Sequence, residues 1–281
     1  MRRLYNLLLL PLVAAYCAVF LLQERLFKET FTDLQPIPSF QVLQATTGYL
    51  QQLVAEILFI KAAVFLGGVK PEVAPLSYAP ALAHNYRQIT SLYPEFSDPY
   101  YYTQAYLPYL GSEYARAAND ILTTGITTYP KNFIFRLYKG TNYFRFLDEP
   151  LAAAAVFHEA STLPDAPPTF GHLAVILSAQ GGNLQAGMIT LQIILKTEKN
   201  EVVRKRYLAE IEMLQKALEV QNAAIRFYNE RGDYPKTLDV LVPEYLTEIP
   251  SFGTMFDLVW EPPQVKLKRP DPKNSKQVPW R

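Results

Sequence analysis

The sequence predicts an all-α protein. It reads as an α-solenoid of helix-turn-helix repeats, with one N-terminal transmembrane helix before it and a small β-hairpin-containing segment after it. Three observations lead there. An uncharged apolar run follows Arg2 and Arg3, proline-bearing turns recur between amphipathic segments, and two short alternating stretches flank Pro262-Pro263 near the end.

With 281 residues, 49% of them apolar, the chain can form one large domain or two modest ones with a sizeable core. The formal net charge of +1 lacks the basic excess that a nucleic-acid surface needs, so no nucleic-acid partner is expected. Cys17 is the single cysteine, which rules out an intrachain disulfide framework and any cysteine-pair metal or haem spacing. His84, His158 and His172 lie far apart in sequence and announce no metal site. No cofactor is expected.

Residues 4–22 form the apolar run, about 19 residues or roughly 28 Å as a helix, close to the thickness of a bilayer core. Three readings compete. A retained anchor fits the length and the large Phe20, Leu21 and Leu22, which stand where a cleavage site needs small residues. A cleaved signal peptide would use Ala14, Ala15 or Ala18, yet no A-x-A precedes the end of the run. A lipoprotein signal on Cys17 conflicts with the bulky Tyr16 before it. Arg2 and Arg3 favour an N-terminus held in the cytoplasm, although Arg25 and Lys28 follow the span. The expected placement is therefore single-pass in the cytoplasmic (inner) membrane, with the main domain on the outer, periplasmic side.

Residues 23–39 read as a linker, because Pro36 and Pro38 block a continuous helix. An apolar-rich helical pattern then fills residues 40–66 and stops at Gly67-Gly68. It contains Glu56 and Lys61 and is expected to be buried in the solenoid, with a second membrane span as the alternative. Turn signals follow at Tyr93-Pro94-Glu95, Tyr129-Pro130-Lys131 and Leu163-Pro164-Asp165, with the prolines 36 and then 34 residues apart. That is the period of a helix-turn-helix repeat that buries its apolar face on its neighbours.

The positions between these turns resemble the tetratricopeptide repeat. One repeat carries Tyr102, Ala105, Tyr106, Tyr109, Ala118, Leu122, Gly125 and Pro130; the next carries Gly140, Tyr143, Ala153, Phe157, Ala160 and Pro164. Leu82, Tyr86, Ile89 and Pro94 fit half of an earlier repeat, and Ala174, Gly187, Leu191 and Ile194 a degenerate later one. Small residues let two helices approach, and aromatics fill the space between pairs. The resemblance covers roughly residues 40–195 and implies a groove lined by the first helix of each repeat. In this register the lining is Tyr100, Thr103 and Leu107, then Ile134, Leu137 and Thr141, then His172 and Ile176. So apolar a groove suits a hydrophobic helix or an extended peptide. The alternative is that the chain's own long helix or linker covers it.

That long helix occupies residues 200–228, with Val203, Tyr207, Ile211, Leu214, Leu218, Gln221 and Ile225 at steps of three and four. It is expected to cap the solenoid, closing residues 40–228, with Arg204, Lys205 and Arg206 on a solvated face; a coiled-coil seam is the alternative. A small module over 229–269 and an extended tail over 270–281 complete the chain. Tyr228, Gly232, Tyr234, Pro235, Leu238, Leu241, Pro250 and Leu258-Val259-Trp260 resemble the C-terminal module of type II secretion pseudopilins. No prepilin-type cleavage motif opens the chain, so the resemblance extends to a shared module only.

No phosphate loop and no G-x-S-x-G is present, and Glu210 and Glu212 face different sides of one helix. No catalytic residue and no small-molecule substrate is therefore expected. The function expected is a membrane-anchored tetratricopeptide-type scaffold or adaptor that binds partner proteins in a cell-envelope assembly: secretion, pilus, export or respiratory. The alternative is a permanently bound accessory subunit of a membrane enzyme complex.

Overall fold

The computed structural model describes residues 34–253 and 256–268, together with Pro11 and residues 15–19. The anchor expected over 4–22 thus falls outside the described residues except at Pro11 and residues 15–19, which are helical. Most of the linker and the tail over 270–281 also lie outside them. The described chain is helical apart from one two-stranded hairpin. It forms two compact units, Met1–Tyr129 and Pro130–Arg281, so the stretch expected as one body over 40–228 is divided between them.

The first unit holds α1 (Phe40–Thr47), α2 (Gln51–Gly68), α3 (Pro75–Leu92), α4 (Asp98–Tyr106) and α5 (Ser112–Thr128). The single helix expected over 40–66 is broken by a 3₁₀ turn at Gly48–Leu50. Gly48 takes a φ of 51° there, a conformation that costs glycine little and other residues more. The other four helices all pack on α3. Its sequence explains this: Tyr78, Ala79, Leu82, Tyr86 and Ile89 recur at helical spacing and are buried. Asn85 adds polar staples, accepting from the Ile37 N–H (2.9 Å) and donating to the Gln35 carbonyl (3.1 Å). Two tyrosines lock the proline turns. The Tyr100 hydroxyl donates to the Pro94 carbonyl (2.9 Å), and that of Tyr129 donates to the Glu95 carbonyl.

The second unit holds α6 (Phe133–Arg145), α7 (Pro150–Ser161), α8 (Thr169–Gln180), α9 (Leu184–Thr197), α10 (Glu201–Arg231), β1 (Asp257–Glu261) and β2 (Gln264–Lys268). From α6 to α10 each helix packs on the next, and the short connections between them make neighbours antiparallel. Asparagines start three of the five: Asn132, Asn183 and Asn200 each accept from a backbone N–H of the first turn. Small residues set the crossings. A Cβ on Gly140 would sit 2.8 Å from the Phe157 ring, and one on Gly171 would sit 2.7 Å from Ile194 Cδ1. Ala153, Phe157, Ala160, Ala174, Gly187 and Leu191 are all buried.

α10 is not a bare cap. It packs on α9, on a 3₁₀ turn (Leu238–Leu241) and on β2, so the segment 229–269 shares its core with the helices. The Gln221 side chain holds the hairpin, accepting from the Val265 N–H (2.6 Å) and donating to the Pro263 carbonyl (2.9 Å). Tyr228 stacks on Tyr234 at 4.3 Å, and the Trp260 indole N–H donates to the Pro235 carbonyl (2.7 Å). Two expectations need correcting. The buried stripe of α10 runs through Tyr207, Ile211, Leu214, Ala217, Val220 and Ala224, leaving Ile225 exposed, because small alanines take the closest crossings. Arg204 does not lie on a simple solvated face: it donates to the Leu195 (2.9 Å) and Glu198 (3.0 Å) carbonyls at the end of α9.

Candidate functional site

The eight residues expected to line a groove fall into three groups. Tyr100, Thr103 and Leu107 are fully buried inside the first unit, which corrects the expectation that they line an open surface. α4 is only nine residues long and passes into a 3₁₀ turn (Leu107–Leu110) at Pro108. Its inward stripe is therefore Tyr100, Thr103 and Leu107, while Ala105, Tyr106 and Tyr109, expected at the crossing, face outward. Burial pushes the Tyr100 hydroxyl up to about 12 and raises that of Tyr86 further. The buried Tyr86 hydroxyl and Thr103 Oγ1 have no hydrogen-bond partner among the described residues.

Ile134, Leu137 and Thr141 form the second group, half-buried along one face of α6. They remain within reach of a partner. Leu137 also rests against the core of Ala153, Phe157 and Phe170.

His172 and Ile176 form the third group, and α10 covers both. The His172 Nε2–H donates to Glu210 (2.9 Å to Oε2), the ring lies 5.6 Å from that of Tyr207, and Arg206 approaches the same carboxylate at 3.5 Å. Ile176 lines a small apolar gap with Glu210, Met213 and Leu214. The arrangement buries a carboxylate only where both a histidine and an arginine meet it, which fixes the register of α8 on α10. It ties α8 to α10 rather than presenting an open surface.

Two features escaped the sequence reading. One is a cleft of about 450 Å³ between α10 and residues 245–250, lined by Lys216, Glu219, Asn222, Arg226 and Glu248. Its charges are mixed, and Arg226 is already engaged with the Tyr245 carbonyl (2.9 Å). The other is α2. Its Ala55, Phe59, Ala62 and Phe65 face inward, whereas Leu53, Ile57, Ile60 and Val64, with Leu50 of the preceding turn, are exposed. The expectation that 40–66 is buried therefore holds for one face only. Among the described residues, Phe40–Gly68 is the one stretch long and apolar enough to cross a membrane. A helix apolar on every side gives no periodic signal for which face turns in; the regular three-four spacing of two separate stripes was the clue available.

No three or more His, Cys, Asp or Glu among the described residues are grouped to hold a metal ion. In comparisons with known proteins, the chain matches no family model, no curated protein and no solved structure.

Proposed function

We propose that the chain is a membrane-anchored scaffold of tetratricopeptide-like helix pairs that holds partner proteins in a cell-envelope assembly. The observation that carries this reading is the sequential packing of α6 to α9, in which a glycine of one helix admits the ring of the next. Such an array is quasi-one-dimensional, and its extended faces suit protein binding more than a reaction centre. The uncharged run over 4–22 behind Arg2 and Arg3 supports a single-pass anchor in the inner membrane, with both units on the periplasmic side. The face of α6 bearing Ile134, Leu137 and Thr141 is the part of the expected groove that a partner can reach.

The test is isolation of the full-length chain from its native membranes in mild detergent. The scaffold reading expects other proteins in fixed stoichiometry, lost when Leu137 and Thr141 are both changed to Asp. Recovery of this chain alone, under conditions that keep other membrane assemblies intact, would overturn it. Expression of residues 30–281 separates the two forms of the reading. A folded soluble product favours a recruiting scaffold, and aggregation favours an accessory subunit that is stable only in its complex.

A further inference from the structure

The outward face of α2 goes beyond this reading. Leu50, Leu53, Ile57, Ile60 and Val64 are 58%, 51%, 44%, 56% and 42% exposed, and together they form one stripe. Single exposed apolar residues are ordinary, but a continuous stripe marks an interaction surface. Their spacing is three, four, three, four, which is the a/d repeat of a coiled-coil seam. Ile57 and Val64 fall at a, and Leu53 and Ile60 at d; Leu50 continues the row by spacing but sits in the 3₁₀ turn before α2.

The rest of the helix obeys the same assignment. Ala55 and Ala62 fall at f, opposite the seam, and are 0% and 1% exposed because they face the unit's own core. α2 is thus held from behind and presents its seam outward. Within α2 the stripe runs from Leu53 to Val64, 11 residue steps or about 16 Å of helix, and Leu50 stands in the 3₁₀ turn just before it. So short a seam is weak alone, but here the helix is already folded onto α3, and forming it costs the partner interaction nothing.

Charge at the flanks chooses the occupant. Glu56 falls at g and Lys61 at e, and neither has an ion pair among the described residues. In a parallel, in-register pair of helices, g of one heptad faces e of the next heptad in the partner, five positions on. Lys61 stands five positions after Glu56 (61 − 56 = 5). Two copies of α2 therefore place each Glu56 beside the other's Lys61, twice by symmetry. An antiparallel pair would instead face Glu56 with Glu56. A bilayer surface would set Glu56 against lipid headgroups with a single lysine to offset it, a poor match for an interfacial helix. We infer that α2 is a homodimerisation helix, joining two copies of this chain in parallel through the Leu53–Val64 seam and the Glu56–Lys61 pairs.

The experiment uses the full chain carrying Cys17→Ser, in detergent and in lipid vesicles, with single cysteines introduced on α2. Ile57→Cys and Ile60→Cys should each bridge to their own copy under mild oxidation, and the exposed off-seam Gln52→Cys should not. Glu56→Lys should lower bridging at Ile57→Cys about tenfold by replacing two attractive pairs with repulsive ones, and adding Lys61→Glu should restore it. Far-ultraviolet circular dichroism confirms that each variant folds. A particle mass of one copy throughout, or equal bridging at all three positions, overturns the proposal. So does an Ile57→Cys thiol that lipid shields from a water-soluble maleimide without any bridging, which would mean that the bilayer covers the stripe. These readouts concern copies of this chain alone and stand apart from whether other proteins bind.

Discussion

Replacing Gly140 with alanine tests the helix crossing on which the second unit is built. Gly140 lies inside α6, and an added Cβ would fall 2.8, 2.9 and 3.0 Å from Phe157 Cζ, Cε1 and Cε2. Carbon atoms pack best at about 3.5–4.0 Å, so the ring would have to retreat by roughly an ångström. It has little room to do so. Phe157 is 3% exposed and stacks on Phe170 at 6.0 Å, which in turn meets Phe133 edge-on at 5.5 Å. Overpacking of this kind costs about 1–3 kcal/mol, while alanine over glycine in a helix interior gains about 1 kcal/mol. The crowding term wins, and Gly140→Ala is expected to destabilise the second unit by about 1 kcal/mol. Gly67 of α2 is the control, since nothing lies within 4 Å of its added Cβ, and Gly67→Ala should hold or raise the stability of the first unit. Trp260 lies in the hairpin of the second unit, so with Trp280 replaced by Phe its emission follows that unit during urea or heat unfolding. For a unit of this size the loss corresponds to a melting point lower by roughly 2–4 °C. In the Gly140→Ala background Phe157→Leu should cost less than it does alone, because the smaller side chain relieves the clash. If Gly140→Ala instead raised stability by the full helix-propensity gain, the close approach of α6 and α7 would be refuted.

Three further outcomes are expected. Tyr86→Phe removes a buried hydroxyl that has no partner among the described residues, so first-unit stability should be unchanged or higher; a loss beyond about 1 kcal/mol by denaturant titration would mean that the hydroxyl is satisfied. The Tyr100 hydroxyl has its folded pKa raised from 10.0 to about 12, so the neutral form is favoured in the fold. The corresponding stability is fully present below pH 10 and is lost as the pH rises from 10 to 12, on the order of 2 kcal/mol; Tyr100→Phe should flatten that alkaline slope, and an unaltered slope by circular dichroism would contradict it. Gln221→Ala leaves the N–H of the fully buried Val265 without its acceptor and should cost about 1–3 kcal/mol, with a shift in Trp260 emission as the hairpin loosens.

The sequence revealed the helix pairs where the chemistry of adjacent positions differed strongly. Gly140, Phe157 and Ala160 differ sharply in size or polarity from the residues beside them, which made their positions readable, whereas Ala153 sits in a run of four alanines that spacing alone does not resolve. Asn200 marked the start of α10 through its capping side chain, whereas the helix runs past the expected end at Tyr228 to Arg231 and stops at the left-handed Gly232. α4 was misread because Tyr100, Tyr101, Tyr102, Tyr106 and Tyr109 put aromatics on every side, and Pro108 ends the helix early. α2 was misread for a related reason, being apolar all round. The His172–Glu210 pair joins residues 38 apart and depends on how α10 folds back over α8, a tertiary fact that no local pattern encodes. Of the residues expected to line a groove, those on α6 sit half-buried while Tyr100, Thr103 and Leu107 are fully buried.

Photo-cross-linking in native membranes tests the scaffold claim most directly. A photoreactive residue at Leu137 or Thr141 of α6 is compared with one at Lys205, exposed on α10. The account predicts a discrete adduct with another envelope protein from both α6 positions and none from Lys205. Absence of any adduct from α6, or the same pattern from all three positions, would contradict it.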